Sequence, residues 1–168
     1  MNSLTPEKEL EILETLRAKV SSVESAINVV TDEPLLDSKN DVLKTICYKT
    51  ANNKTEIRYI KIDFLGYTDD PENGCEDDPV VYLNYNFHLF HQYIEKRSDG
   101  SSSAKDIKKL VFNLRNAFLP FKNGERKIAE IYESTPLTQA RFIILGEDPM
   151  TGGHYGHFTD LICKVEIS

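Results

Sequence analysis

Fifteen residues in the middle of the chain, Val80 to Ile94 (VVYLNYNFHLFHQYI), constrain the fold more than any other segment. Val81, Leu83, Tyr85, Phe87 and Leu89 alternate with Tyr82, Asn84, Asn86, His88 and Phe90. A period of two puts the first set on one face of a strand and the second on the other. The first face needs an apolar layer over it, whereas the asparagines suit a face that is wet or at an interface. The segment is long for a strand, so a bend or a turn of helix is expected from Phe90 onward.

Other β-rich runs supply neighbours. Val42 to Thr50 and Thr55 to Leu65 are rich in β-branched and aromatic residues, and Ala51-Asn52-Asn53-Lys54 between them has hairpin chemistry. Arg141 to Leu145 and Phe158 to Ile167 read as strands. Thr159, Leu161, Cys163, Val165 and Ile167 form a buried face opposite Asp160, Lys164 and Glu166. Gly146 to Gly156 reads as a long hairpin tip between them.

Two helices are expected to cover the sheet. Thr5 can cap the first, Pro6 fits its first position, and Glu7 and Glu9 suit its positive end. Its apolar residues Leu13, Leu16, Val20, Val23, Ile27 and Val30 follow a 3-4 spacing that stops at Thr31-Asp32-Glu33-Pro34. That is about two and a half heptads, too few for a coiled coil, so the helix packs on its own domain. The second helix places Ile107, Leu110, Val111, Leu114 and Phe118 on one face and ends at Leu119-Pro120. It follows a flexible linker, Ser98 to Ser103, in which Ser103 and Asp106 resemble a capping box. Glu125 to Glu133 is ambiguous between short helix and strand.

The layout is one α+β domain over 1–168. A mainly antiparallel sheet carries an N-terminal helix, about 5–30, and a central helix packed on it, with sheet and central helix spanning 42–168. A chain of 168 residues buries about two thirds of its unfolded surface, so it needs no disulfide or metal to fold. With 40% apolar and 28% charged residues it is neither disordered nor collagen-like. No apolar run approaches the roughly 20 residues of a membrane span, and the N-terminus lacks a basic-then-apolar leader. A soluble, unexported protein without a membrane partner is expected. Three widely spaced cysteines, Cys47, Cys75 and Cys163, fit a reducing compartment better than a disulfide framework.

Charge is uneven. The net charge is -7, and Asp69, Asp70, Glu72, Glu76, Asp77 and Asp78 form an acidic loop with no base between Gly66 and Pro79. Residues 104–127 lean the other way, with Lys105, Lys108, Lys109, Arg115, Lys122, Arg126 and Lys127 against Asp106 and Glu125. The plain reading is a solvated loop and a solvated helix face. The sharper reading is a pair of complementary patches, with Asp69, Asp70, Glu72, Glu76, Asp77, Asp78, Lys105, Lys108 and Lys109 at a subunit interface or a channel. The acidic balance argues against a specific nucleic-acid partner, which needs cations to neutralise phosphates.

Catalytic chemistry finds little support. The four histidines form two equally spaced pairs, His88/His91 and His154/His157. Residues three apart on a strand face opposite ways, so the first pair cannot chelate on a regular strand. The second sits in a glycine-rich turn able to wrap an ion, with Glu147, Asp160 or Cys163 as further ligands. Its plainer reading is polar loop and sheet-face histidines, since the spacing matches no zinc motif. An EF-hand set from Asp69 would place Pro71 third and Val80 where glutamate belongs. There is no G-x-S-x-G, no papain-like cysteine context and no phosphate-cradling loop. Cys47 and Cys163 lie in apolar strands, and Cys75 stands among carboxylates that disfavour its thiolate. Gly146-Glu147-Asp148-Pro149 reads as turn chemistry rather than an acid/base pair. No catalytic residue, metal ligand or cofactor is therefore assigned.

The stretch VVYLNYNFHLFHQYI, a Ser-rich turn and AKDIKKLVFNLRNAFL form a strand-to-helix unit, preceded by a helix and hairpin and closed by the strand HFTDLICKVEIS. This order resembles the tail-terminator and neck proteins of tailed phages and contractile phage-like injection systems. The run Pro79-Val80-Val81-Tyr82-Leu83-Asn84-Tyr85 is similar to the strand before the long helix of the injection-system cap family. Two departures stand out, a long acidic loop and a short helix from Ser103. The resemblance implies a subunit that forms a ring, usually a hexamer, on the last ring of the tail tube. Such a ring stops tube growth and joins tail to head or neck. Its partners are then itself, the tail tube protein and a neck or head-completion protein. Its place is the virion tail or neck, assembled in the host cytoplasm, with no catalysis and no cofactor. The alternatives are a small metal-dependent enzyme using the His154/His157 turn and a monomeric adaptor using the asparagine-histidine strand face.

Overall fold

The computed structural model describes residues 5–23, 28–30, 47–49, 55–75, 78–118, 143–148, 151 and 153–167. Helices α1 (Pro6–Val23) and α2 (Ser103–Ala117) lie on one face of a mainly antiparallel sheet. Its strands are β1 (Asn28–Val30), β2 (Cys47–Lys49), β3 (Thr55–Cys75), β4 (Asp78–Gln92), β5 (Ile144–Asp148) and β6 (His154–Ile167). The order across the sheet is β1-β3-β4-β6-β5, with β2 paired to the start of β3. The α+β architecture expected from the pattern of elements is the one observed.

The alternation in the middle of the chain sets the core. Leu83, Tyr85, Phe87 and Leu89 of β4 are fully buried on the helix side. They meet Ile60 and Ile62 of β3, Leu161, Cys163 and Val165 of β6, and Ile12, Leu16, Val20, Ile107, Leu110 and Leu114 of the helices. Each such side chain contributes about 1.5–3 kcal/mol when taken from water. Phe118, which caps α2, packs edge-on against Phe87 at 5.6 Å between ring centroids, and the Lys19 ammonium sits 4.9 Å over its ring.

Several boundaries differ from the expected ones. The N-terminal helix stops before residue 28, not near 30. Asn28, Val29 and Val30 instead pair in parallel with Tyr59, Ile60 and Lys61. Two adjacent β-branched valines fit a pleated margin better than a helix. The buried stripe of α1 is Ile12, Leu16 and Val20, one turn apart, with Leu13 and Val23 at its border. Thr5 caps this helix as expected, its hydroxyl accepting from the Lys8 amide at 3.1 Å. On α2 the cap is Ser102, whose hydroxyl accepts from the Lys105 amide. Ser103 is instead buried, accepting from the Ile94 amide at 2.8 Å. The segment read as a flexible linker is a hydrogen-bonded turn, with Arg97 N–H donating to the Ser101 carbonyl at 2.7 Å.

β4 keeps its extended form through Gln92, without the bend considered at Phe90. The acidic segment is not a loop throughout. β3 runs on to Cys75 and β4 starts at Asp78, so Asp69, Asp70 and Glu72 ride on a long hairpin, with a register shift between Asp70 and Cys75. β5 lies three residues further along than Arg141 to Leu145, and β6 starts four residues before Phe158. The hairpin tip between them is correspondingly shorter. Residues 35–41, 51–54 and 125–133, with Glu76, Asp77, Lys122, Arg126 and Lys127, lie outside the described residues. No helix among those described is long and apolar enough to cross a membrane.

Two glycines are tied to this geometry. Gly66 has φ +116°, a left-handed conformation that side chains resist, where an extra residue bulges β3 between the Phe64 and Gly66 pairings. At Gly156 an added Cβ would press into the His91 carbonyl oxygen and the Phe90 ring. Gly156→Ala is expected to destabilise the protein by roughly 1–3 kcal/mol, the usual cost of overpacking. The check is the urea midpoint; an unchanged midpoint would mean β6 can move off β4 at no cost.

Candidate functional site

β4 carries two polar clusters, one on each face. On the face away from the helices, His88 lies between two carboxylates. Its Nε2 is 2.8 Å from Asp148 Oδ1 and its Nδ1 is 2.8 Å from Asp160 Oδ1. The Tyr59 hydroxyl donates to the other Asp148 oxygen at 2.6 Å, and the Asn86 amide donates to Asp160 at 3.1 Å. Register sets His88 directly opposite Lys61 on β3 and Asp160 on β6, whereas Asp148, paired with His154 at the end of β5, reaches His88 through its side chain.

Ionised carboxylates only accept hydrogen bonds, so an imidazole held between two of them donates from both nitrogens. Burial alone pulls the His88 pKa down. Its hydrogen bonds to Asp148 and Asp160, and their charges, outweigh that and push it up to about 9. The His88 bond in turn holds Asp160 below its ordinary range, against burial. Burial, then the bond to Asp148, raises the Tyr59 phenol well above its ordinary value. Each of the two carboxylates carries a charge-assisted bond to one cation, so β4, β5 and β6 are tied together. Asp148 is fully buried and His88 nearly so, while Asp160 reaches solvent.

The second cluster lies under the start of α2. The Arg97 guanidinium forks onto Glu56, with Nε at 2.9 Å and Nη2 at 2.8 Å, and its Nη1 reaches Asp106 at 2.7 Å. His91 Nδ1 donates to the Gln92 carbonyl at 2.7 Å, leaving Nε2 to accept from Arg97 Nη2 at 3.2 Å. The histidine is therefore neutral here, and burial first of all lowers its pKa. Asp106, expected in a capping box, instead pairs with Arg97. Neither cluster supplies an activated nucleophile. Ser103, 3.0 Å from His157 Nδ1, is fully buried and bonded to the backbone of Ile94.

The glycine-turn histidines do not converge. His154 opposes Asp148 and His157 opposes Leu145 on a regular ladder, so the two imidazoles leave opposite faces of β6. The segment expected as a glycine-rich turn is extended strand from His154 onward, so the two imidazoles do not face one point together. Among the described residues no group of three or more His, Cys, Asp or Glu is placed to hold a metal ion. The expected turn role of Gly146-Glu147-Asp148 is overturned too: all three are in β5. Thr151 makes the turn, its hydroxyl donating to the Asp148 carbonyl and accepting from the His154 amide. Cys163 is a free, buried thiol whose pKa burial pushes up to about 12.

The charged residues singled out in the sequence fall on different parts of the fold. Asp69, Asp70 and Glu72 lie in β3 and Asp78 begins β4, together at the end of one hairpin. Lys105, Lys108 and Lys109 are exposed on α2. That helix packs over β4 and β6. The two charged sets thus belong to different elements, the hairpin of β3 and β4 and helix α2. Neither a protein-family model nor a curated protein matches the chain.

The His88 cluster gives a measurable pH signature. A pKa raised from about 6.5 contributes stability that is full below that value and is lost as pH rises through about 9. Asp160, held low, contributes above its ordinary range near 3.9 and loses it as pH falls through its lower folded value. His88→Ala leaves Asp148 buried beside Tyr59 alone among the described bonds, which costs about 3 kcal/mol at pH 7. Denaturation at a series of pH values is expected to show the gap between wild type and variant closing above pH about 9. A constant gap would contradict an imidazolium at this site.

Proposed function

We propose that the chain is a structural subunit of a tailed phage or a phage-like injection particle. In this reading it is a tail terminator or head–tail connector whose ring caps the tail tube and joins it to the head or neck. The observation that carries the reading is the separation of opposite charge onto different elements of one subunit. The acidic hairpin is formed by the end of β3 and the start of β4, and the helix that carries the lysines, α2, packs over β4 and β6. A ring needs a head-to-tail interface, in which one patch meets a different patch of the next copy. Opposite charges on different elements favour that contact and disfavour like patches meeting.

The order of elements shared with tail-terminator proteins adds the setting. It supplies the tail tube protein and a neck or head-completion protein as partners and the virion as the location. The side chains support the non-catalytic part of the reading. Both histidines of β4 are locked into ion and hydrogen-bond clusters that brace strands. The acidic hairpin has two possible places in the ring, against the lysines of the next copy or along the channel, where negative charge keeps DNA from adhering.

Reversing Lys105, Lys108 and Lys109 together to Glu tests the interface. All three are exposed, so the fold tolerates the change. Light scattering across a salt series is expected to show assembly by the wild type that weakens with added salt, and assembly by the variant weakened already in low salt. Equal particle mass for both proteins at every salt concentration would remove these lysines from the interface.

A further inference from the structure

We infer that the start of α2 is an acid-operated latch. The segment 97–106 is held on the sheet while His91 and His157 are neutral, and it lets go when they take up protons. This inference concerns the single chain and stands apart from the ring reading.

The two imidazoles are set side by side, because His91 on β4 pairs directly with His157 on β6. By the period of two, His91 continues the row Leu83, Tyr85, Phe87 and Leu89, and His157 continues the row Thr159, Leu161 and Cys163. Both therefore lie on the helix side of the sheet, and each touches the chain that leads into α2. His91 Nδ1 donates to the Gln92 carbonyl, so the unprotonated Nε2 accepts from Arg97 Nη2 at 3.2 Å. Arg97 fastens the turn: its backbone N–H donates to the Ser101 carbonyl, and its Nη1 donates to the Ser101 hydroxyl at 2.8 Å and to Asp106 at 2.7 Å. His157 Nδ1 donates to the Ser103 hydroxyl at 3.0 Å, whose own proton goes to the Ile94 carbonyl.

Charge accounting gives the trigger. Among the described residues the charged groups facing the pair are Glu56 and Arg58 on β3, Arg97 on the turn and Asp106 on α2. Two cations meet two carboxylates while both imidazoles are neutral. Two added protons set four cations against two carboxylates. The proton that His91 gains goes to Nε2, where one donor then faces another on Arg97. Nε2 is also 3.3 Å from Asp106 and 3.6 Å from Glu56, so the charged ring competes with Arg97 for both of its carboxylates. Burial lowers the pKa of both histidines, and the Arg58 charge adds to this at His91. With a lowered folded pKa, stability is intact above the ordinary value of about 6.5 and is lost as pH falls below it. The release is local. The rest of α2 is held by Ile107, Leu110, Leu114 and Phe118, which do not titrate. On the other face of the sheet His88 is already charged and Asp160 stays ionised below its ordinary range, so β4 and β6 keep their tie.

Hydrogen–deuterium exchange of the full chain over a pH series, corrected for the intrinsic pH dependence of exchange, tests the latch. From about pH 7 to about pH 5, amides of 97–106 are expected to lose protection at least about tenfold, while those of 110–117 and 83–91 hold theirs. His91→Gln with His157→Gln removes both titrating groups and is expected to abolish the pH dependence. The wild-type imidazole signals, followed by NMR over the same range, give a test without substitution: their protonation is expected to coincide with the loss of protection. Rings that charge while 97–106 stays protected would overturn the latch, as would a loss shared equally by 110–117 and 83–91. An unchanged pH dependence in the double variant would overturn the assignment to these two histidines.

Discussion

Strand β4 is paired along nearly its whole length on both sides, and the rest of the molecule is arranged around that fact. Its two faces need different chemistry. Toward the helices it offers an unbroken apolar row, Leu83, Tyr85, Phe87 and Leu89, and no partner but an apolar layer satisfies it. Away from the helices the row changes along the strand, from half-exposed asparagines to the buried His88 and Phe90. Among the described residues the buried half has five strands across it and the other half three. A charged group inside the broad half needs partners of opposite sign, and Asp148 and Asp160 supply them.

This division separates what holds the subunit together from what remains available to partners. The ion clusters at His88 and Arg97 draw residues from β3, β4, β5, β6 and the start of α2. Their polar atoms are directed at one another, and the fixed hydrogen bonds favour one register over a slipped one. The narrow half keeps its acidic hairpin and its exposed aromatic residues. In the proposed reading, a structural subunit uses such a division, with a rigid portion that fixes geometry and other surfaces left for partners.

Much of the fold was legible in the chain because burial on one face leaves a periodic trace. The alternation of β4, the buried row Thr159, Leu161, Cys163 and Val165 of β6, and the stripe of α2 all followed from spacing alone. The errors share one cause, which is that tertiary pairing outweighs local preference. Asn28 to Val30 continue a helical spacing yet pair with β3. Gly146-Glu147-Asp148-Pro149 has turn composition, but Asp148 extends β5 because Tyr59 and His88 bind its carboxylate. No local signal marks that role, since the partners are 89 and 60 residues away. The charged segments were visible as composition, but their placement on a β3–β4 hairpin and on a helix packed over β4 and β6 depends on the tertiary fold, which spacing does not encode.

The central claim is that the subunit repeats itself around an axis and makes or breaks no bonds. Negative-stain electron microscopy of the purified chain, alone and mixed with tail tubes, tests it most directly. The account predicts closed rings of many copies around a central opening, seen free or seated at tube ends. Particles no larger than the 19.2 kDa chain in both samples, with bare tube ends, would contradict it.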